Sequence, residues 1–188
     1  MEITYIYMLI LTIILVVLGL NSLKKDNARK WAIQENMPIE LEDAKLVASE
    51  QYIKTDLPRR MHGTLDQLYR LKSGVYVLID SKTRKHRKVY RYDIVQLSVY
   101  RAILNRNGKK MAPYAYVRVV TEQGVQYLKQ ELLCEEEVIA EYDRVKAILS
   151  GKEAPGIVNN KRMCTGCGQQ ANCPAWDYKT EKADKYAS

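Results

Sequence analysis

Between Gly63 and Tyr100 the chain reads GTLDQLYRLKSGVYVLIDSKTRKHRKVYRYDIVQLSVY, and this stretch restricts the fold more than any other. Asp66 closes one apolar-flanked run, and Asp80 ends the next, Val75-Tyr76-Val77-Leu78-Ile79. Lys72-Ser73-Gly74 between them is turn material, so the two runs predict a β-hairpin. Alternate side chains of a strand share a face, which puts Asp80 and Lys82 on one side. A paired neighbour brings Asp66 beside them. A helix starting near Tyr92 and running to Leu104 places Gln96 and Tyr100 one turn apart, leaning over the same point as i and i+4 neighbours.

Two carboxylates meeting at one point repel each other and are driven toward neutrality unless a divalent cation sits between them. Mg²⁺ or Mn²⁺ suits such a pair, because hard cations take carboxylate and water oxygens. A metal there orients and acidifies a water, and Lys82 is placed to balance negative charge on a phosphate. An isolated Asp-x-Lys is common at the ends of surface strands, and Gln96 or Tyr100 alone reads as a solvated amide or core-edge packing. The order of all five residues is the signal.

That order resembles the PD-(D/E)XK nuclease superfamily, and within it the RecB-like branch. The branch has a Gly-x-x-Asp strand, an (Asp/Glu)-x-Lys strand and a Gln-x-x-x-Tyr helix. Here these are Gly63 to Asp66, Asp80-Ser81-Lys82, and Gln96 to Tyr100. The resemblance implies a restriction-endonuclease-like mixed α/β sheet core flanked by helices. It also implies catalytic roles for Asp66, Asp80, Lys82, Gln96 and Tyr100, and a metal held near Asp66, Asp80 and Ser81. The branch carries a further acid or histidine ahead of the first catalytic strand. Glu35, Glu40, Glu42 and Glu50 are candidates that spacing does not separate, and His62 is another.

A second signal lies near the C-terminus, where Cys164-x-x-Cys167 is followed by Cys173-Pro174 in a stretch with Gly166, Gly168 and Asn172. Thiolates this close share a soft metal, pair as a disulfide or stay reduced, and spacing alone leaves zinc and iron–sulfur open. The sequence is similar here to RecB-like nucleases of the AddB kind and to the CRISPR-associated iron–sulfur exonuclease family. That similarity implies a structural [4Fe-4S] cluster, with Zn²⁺ as the alternative. Those families draw a fourth cysteine from upstream of the core, whereas here no cysteine precedes Cys134. Cys134 is the remaining candidate ligand, or else a small apolar residue on a helix. Metal bound there ties the tail to the catalytic domain.

From Ile3 to Leu20 the chain is apolar and uncharged, close to the ~20 residues that cross a hydrocarbon core. Lys24, Lys25, Arg29 and Lys30 follow at once, so the positive-inside tendency predicts a single-pass anchor with the remainder in the cytoplasm. A cleaved signal peptide is the competing reading, but no positive charge precedes the run. A reduced compartment also suits thiolates.

The chain's 188 residues, less the anchor, suffice for one compact domain. The expected organisation is an anchor over 1–22, a linker or helix over 23–45, a nuclease-like domain over 46–178 with the cysteine cluster at 164–173, and a flexible tail over 179–188. Within the domain, 41–53 reads as a short helix or first strand, Tyr114–Val120 as a strand after an Asn107-Gly108 loop, and Gln126–Leu149 as one or two helices. The net charge of +8, with Arg84-Lys85-His86-Arg87-Lys88 beside the predicted site, is the footprint of a phosphate-backbone binder. DNA, as ends or single strands, is the expected partner. The alternatives are a DNA-binding or assembly protein that turns over slowly or not at all, and a zinc-stabilised membrane module.

Overall fold

The computed structural model describes residues 5, 7, 8, 10–20, 35–156, 164, 167, 168 and 173. The chain divides into two compact units, Met1–Tyr142 and Asp143–Ser188. The described residues up to 20 are helical (α1) and expose their apolar side chains. Among the described residues no helix is long and apolar enough to cross a membrane. Residues 1–4, 6 and 9 of the expected anchor lie outside the described set, as do 21–34 and most of 157–188.

The first unit is an α/β fold around a five-stranded mixed sheet. Its elements run α2 (Ile39–Glu42), β1 (Lys45–Thr55), β2 (Met61–Arg70), β3 (Tyr76–Thr83), α3 (Arg91–Arg106), β4 (Tyr114–Thr121), β5 (Gly124–Glu131) and the start of α4 (Glu135–Leu149). The sheet order is β1-β2-β3-β4-β5. Neighbours are antiparallel except β3 and β4, which run parallel with α3 as the crossover that parallel strands require.

Strand β3 is central and reads as an unbroken apolar run because both its faces are covered. Leu78 enters one core cluster with Leu65, Leu68, Leu97, Ile103, Val117 and Val119, under α3. Val77 and Ile79 enter the other, with Met37, Leu41, Tyr69, Ala112 and Tyr116. Asp80 follows Leu78 by two and therefore points to the α3 side.

Four expectations change in detail. The hairpin turn falls at residues 72–74 as expected, but β2 continues past Asp66 to Arg70 and β3 past Asp80 to Thr83, so both acids lie inside strands. The region 41–53 is both things at once, a four-residue helix and then an 11-residue strand. The expected helix over Gln126–Leu149 is β5 followed by α4, because Thr121 and Gly124 close a hairpin that pairs β5 with β4 along its length. Helix α3 begins at Arg91 and ends at Arg106.

Candidate functional site

A slip in β2 builds the site. Met61, Leu65 and Leu68 all join the cluster under α3, although Leu65 and Leu68 are an odd number of residues apart. Strict alternation would put them on opposite faces, so the pleat shifts by one between them. Asp66 thereby shares the α3 side with Leu68. The β1–β2 ladder agrees, pairing Ser49 with Gln67 and Gln51 with Leu65 but skipping Glu50 and Asp66. Glu50 sits at φ 49°, a left-handed conformation that an extended strand does not use. Where the β2–β3 ladder stops at Gln67, the Asp66 carboxylate takes over: its Oδ2 accepts the Ser81 N–H at 2.8 Å.

Asp80 is 1% exposed. Its Oδ1 accepts a hydrogen bond from Lys82 Nζ at 3.1 Å and from Gln96 Nε2 at 3.3 Å. Its Oδ2 lies 2.9 Å from Lys82 Nζ in ion-pair contact, yet receives no hydrogen bond of acceptable geometry although it is buried. Burial pushes the Asp80 carboxyl up from its ordinary range; Lys82 opposes this, and the charges of Asp66 and Asp93 add to it. Burial pulls the Lys82 ammonium down, but the hydrogen bond and charge of Asp80, with Asp66 and Asp93 behind it, raise it overall. Lys82 thus offsets the burial of the Asp80 carboxyl only in part.

Gln96 bridges the pair, because its Oε1 also accepts from Lys82 Nζ at 3.4 Å. Its Nε2 donates to the Tyr100 hydroxyl at 3.2 Å. Tyr100 is in turn positioned by an absence. A Cβ on Gly63 would lie 2.5 Å from Tyr100 Cε1 and 3.0 Å from its hydroxyl oxygen, so only glycine lets the ring lie against β2. This gives the glycine of the Gly-x-x-Asp run a packing reason that spacing alone does not reveal.

Two further residues escape the sequence reading. Asp93 is fully buried and accepts from Arg84 at 2.7 Å and 2.8 Å and from the Tyr90 N–H at 2.8 Å. Burial would raise its pKa, but the Arg84 hydrogen bonds, the Tyr90 N–H and the cationic charge nearby hold it below the ordinary carboxylate range. An acid at the third position of a helix, reaching back to the N-cap, is the sequence signal that could have found it. Arg84, grouped above with a DNA-contacting run, is therefore committed to this ion pair, with 13% of its side chain exposed. Lys85, Arg87 and Lys88 remain exposed.

The structure thus brings Asp66, Asp80, Lys82, Gln96 and Tyr100 together, with Ser81 contributing its backbone N–H. It does not bring in His62. That residue precedes the slip, alternates with Met61 and Gly63, and packs its ring 5.9 Å from Tyr52 on the face away from α3. Nor do the upstream acids join: Glu35 pairs with Arg118, and Glu40 with Tyr114 and Tyr116, on the opposite face of the sheet. Glu42 and Glu50 are exposed. Among the described residues no three His, Cys, Asp or Glu side chains form a metal-binding group. The cation expected here has a two-carboxylate donor set, and the under-bonded Asp80 Oδ2 fits that role.

Among the described residues no disulfide joins any of the four cysteines. Cys134 is exposed at the start of α4, its N–H donating to Glu137 at 2.7 Å. In the second unit the Cys167 N–H donates to the Cys164 carbonyl at 3.2 Å, so these two sit on one tight turn. The sheet that carries the carboxylates is mixed, five-stranded and flanked by helices, which is the α/β class expected.

No family model matches this chain, and no curated protein does. A solved structure described as "Crystal structure of SSO0001" superposes with a TM-score of 0.47 at 17% identity, covering 86% of this chain and 68% of that one. A likeness that loose carries no argument about function.

Proposed function

We propose that the chain is a membrane-anchored, divalent-metal-dependent deoxyribonuclease with a restriction-endonuclease-like core, hydrolysing phosphodiester bonds at DNA ends or in single strands. The observation that carries this reading is the buried Asp80 carboxylate, short of one hydrogen bond, with Asp66 and Lys82 beside it. Asp66 and Asp80 hold Mg²⁺ or Mn²⁺, which when bound supplies an acidified water and neutralises phosphate charge. Lys82 offsets the negative charge that grows on the phosphate oxygens as the new P–O bond forms. Gln96 fixes Lys82 and Asp80 relative to each other, and Tyr100 fixes Gln96. The excess of positive charge favours a polyanion through its backbone, with salt-sensitive affinity.

In the tail, Cys164, Cys167 and Cys173 are soft donors outside any disulfide, and Cys164 and Cys167 share one turn, which suits a thiolate-ligated centre. The reading assigns them a structural [4Fe-4S] cluster, with Cys134 as the candidate fourth ligand and Zn²⁺ as the alternative metal. The lysines and arginines after the apolar run put the catalytic unit on the cytoplasmic side.

The test is cleavage of end-labelled single- and double-stranded DNA with Mn²⁺. Asp80→Ala and Lys82→Ala abolish cutting while DNA binding persists; retained cutting in both variants ends the proposal. One observation favours a second reading. With His62, Glu35 and Glu40 turned elsewhere, a site of two carboxylates suits a DNA-binding protein with little or no turnover. Anaerobically purified protein that binds DNA in a salt-sensitive way but cuts with no divalent ion supports that alternative. Metal analysis separates a brown iron–sulfur protein from a colourless zinc one, and a zinc protein with no affinity for DNA supports the membrane module instead.

A further inference from the structure

The loop between β3 and α3, with the first turn of α3, carries side chains that the cleavage site does not use. Tyr90 and Tyr92 stack with ring centroids 5.3 Å apart and planes 6° from parallel. Tyr92 is 62% exposed and Tyr90 38%, so ring surface is left to water. Arg84 backs the pair, its guanidinium carbon 4.7 Å from the Tyr90 centroid and 5.7 Å from that of Tyr92. Its bidentate grip on the buried Asp93 keeps it from swinging away, so the platform is fixed in advance. Lys88 Nζ lies 5.2 Å from the Tyr90 centroid, and Lys85 and Arg87 are exposed nearby.

The position of Tyr92 ties this platform to the carboxylates. Tyr92, Gln96 and Tyr100 follow one another at i, i+4 and i+8 and form one stripe along α3. Gln96 in that stripe hydrogen-bonds to both Asp80 and Lys82. Tyr92 therefore stands one helical turn, ~5.4 Å, from the residue that touches the site. A fixed aromatic face ringed by cations suits an unpaired base joined to phosphates, because every base has a π-face and stacking tolerates any sequence. In an intact duplex those faces are covered by neighbouring pairs, so a duplex offers phosphates to Lys85 and Lys88 but nothing for Tyr92 to stack on.

We infer that Tyr92, backed by Tyr90 and Arg84, is the stacking rung for an unpaired base of a single-stranded polynucleotide whose phosphate lies at Asp80 and Lys82. The inference rests on the nuclease reading and narrows its substrate. Its test is binding, measured by fluorescence anisotropy on the full chain in detergent micelles, with chelator present so that nothing is cut. The probes are a labelled oligothymidylate and a duplex of equal length.

Tyr92→Ala weakens single-strand binding roughly tenfold, Tyr92→Phe restores it, and duplex affinity is unchanged. The slope of affinity against salt also stays the same in Tyr92→Ala, since no charge is removed. Equal losses on both probes, no loss on the single strand, or no rescue by phenylalanine overturns the inference. Cleavage with Mn²⁺ is scored separately. Cutting by the wild type with no single-strand defect in Tyr92→Ala removes the rung and keeps the nuclease. A single-strand defect without any cutting keeps the rung and removes the nuclease.

Discussion

On the side of the sheet away from α3, Glu40 accepts hydrogen bonds from the hydroxyls of Tyr114, at 2.7 Å, and Tyr116, with Lys129 Nζ 3.6 Å away. On the α3 side, Asp80 is more deeply buried and has a lysine, a glutamine and a tyrosine around it, yet one of its oxygens lacks a hydrogen bond. The consequences run in opposite directions. Burial would raise Glu40, but its tyrosine hydrogen bonds and Lys129 hold it low, while burial and the hydrogen bond it donates push Tyr114 up to about 12. Asp80 goes up despite its lysine. A carboxylate with a hydrogen bond on each oxygen clasps two segments together, here α2 to β4. A carboxylate left short is where a fold keeps room for a cation.

The largest effect that would break this contrast comes from Asp80→Asn. It removes charge where charge is under-satisfied, so cleavage falls on the order of 10³-fold while the melting temperature holds or rises. A melting temperature that collapses with the activity would make Asp80 another clasp. Asp93→Asn probes the opposite case, a buried carboxylate fully paired with Arg84, and costs about 3 kcal/mol in denaturant unfolding at neutral pH. Because the folded pKa of Asp93 is depressed, its contribution is present above the unfolded value and lost as pH falls through the folded one. The gap between wild type and variant therefore closes in acid, below about pH 4. A gap that stays constant into strong acid contradicts the ion-pair account.

Gly63→Ala forces the Tyr100 ring off β2, which costs about 1–3 kcal/mol and lowers cleavage with it. Tyr100→Leu made in the same chain relieves the clash but not the lost cleavage, and additive stabilities in that double-mutant cycle would show that the two residues do not touch. The smallest effect is that of Glu40→Gln, about 1 kcal/mol of stability with cleavage unchanged. A cleavage defect there would mean that the far face takes part in the chemistry.

Much of the α3 side was legible because its signals are local. Lys72-Ser73-Gly74 marked the turn, Val77-Leu78-Ile79 the buried strand, and the i, i+4 relation of Gln96 and Tyr100 their shared face. The slip that turns Asp66 toward Asp80 was not legible, since it depends on Glu50 of a separate strand. Strand β5 was misread because Leu128 and Leu132 also fit a helical period; Gly124, at φ 111°, was the turn signal that argued otherwise. The far-face clasp was out of reach altogether, because Glu40 and Tyr114 meet across 74 residues and nothing in their local patterns announces it.

The central claim is that Asp66 and Asp80 share one divalent cation beside Lys82. Titrating Mn²⁺ into the detergent-solubilised full chain, followed by electron paramagnetic resonance of the free ion, tests it without any DNA. The account predicts one bound ion in the wild type that is lost in Asp80→Asn and kept in Glu40→Gln. Equal Mn²⁺ binding by wild type and Asp80→Asn would contradict it.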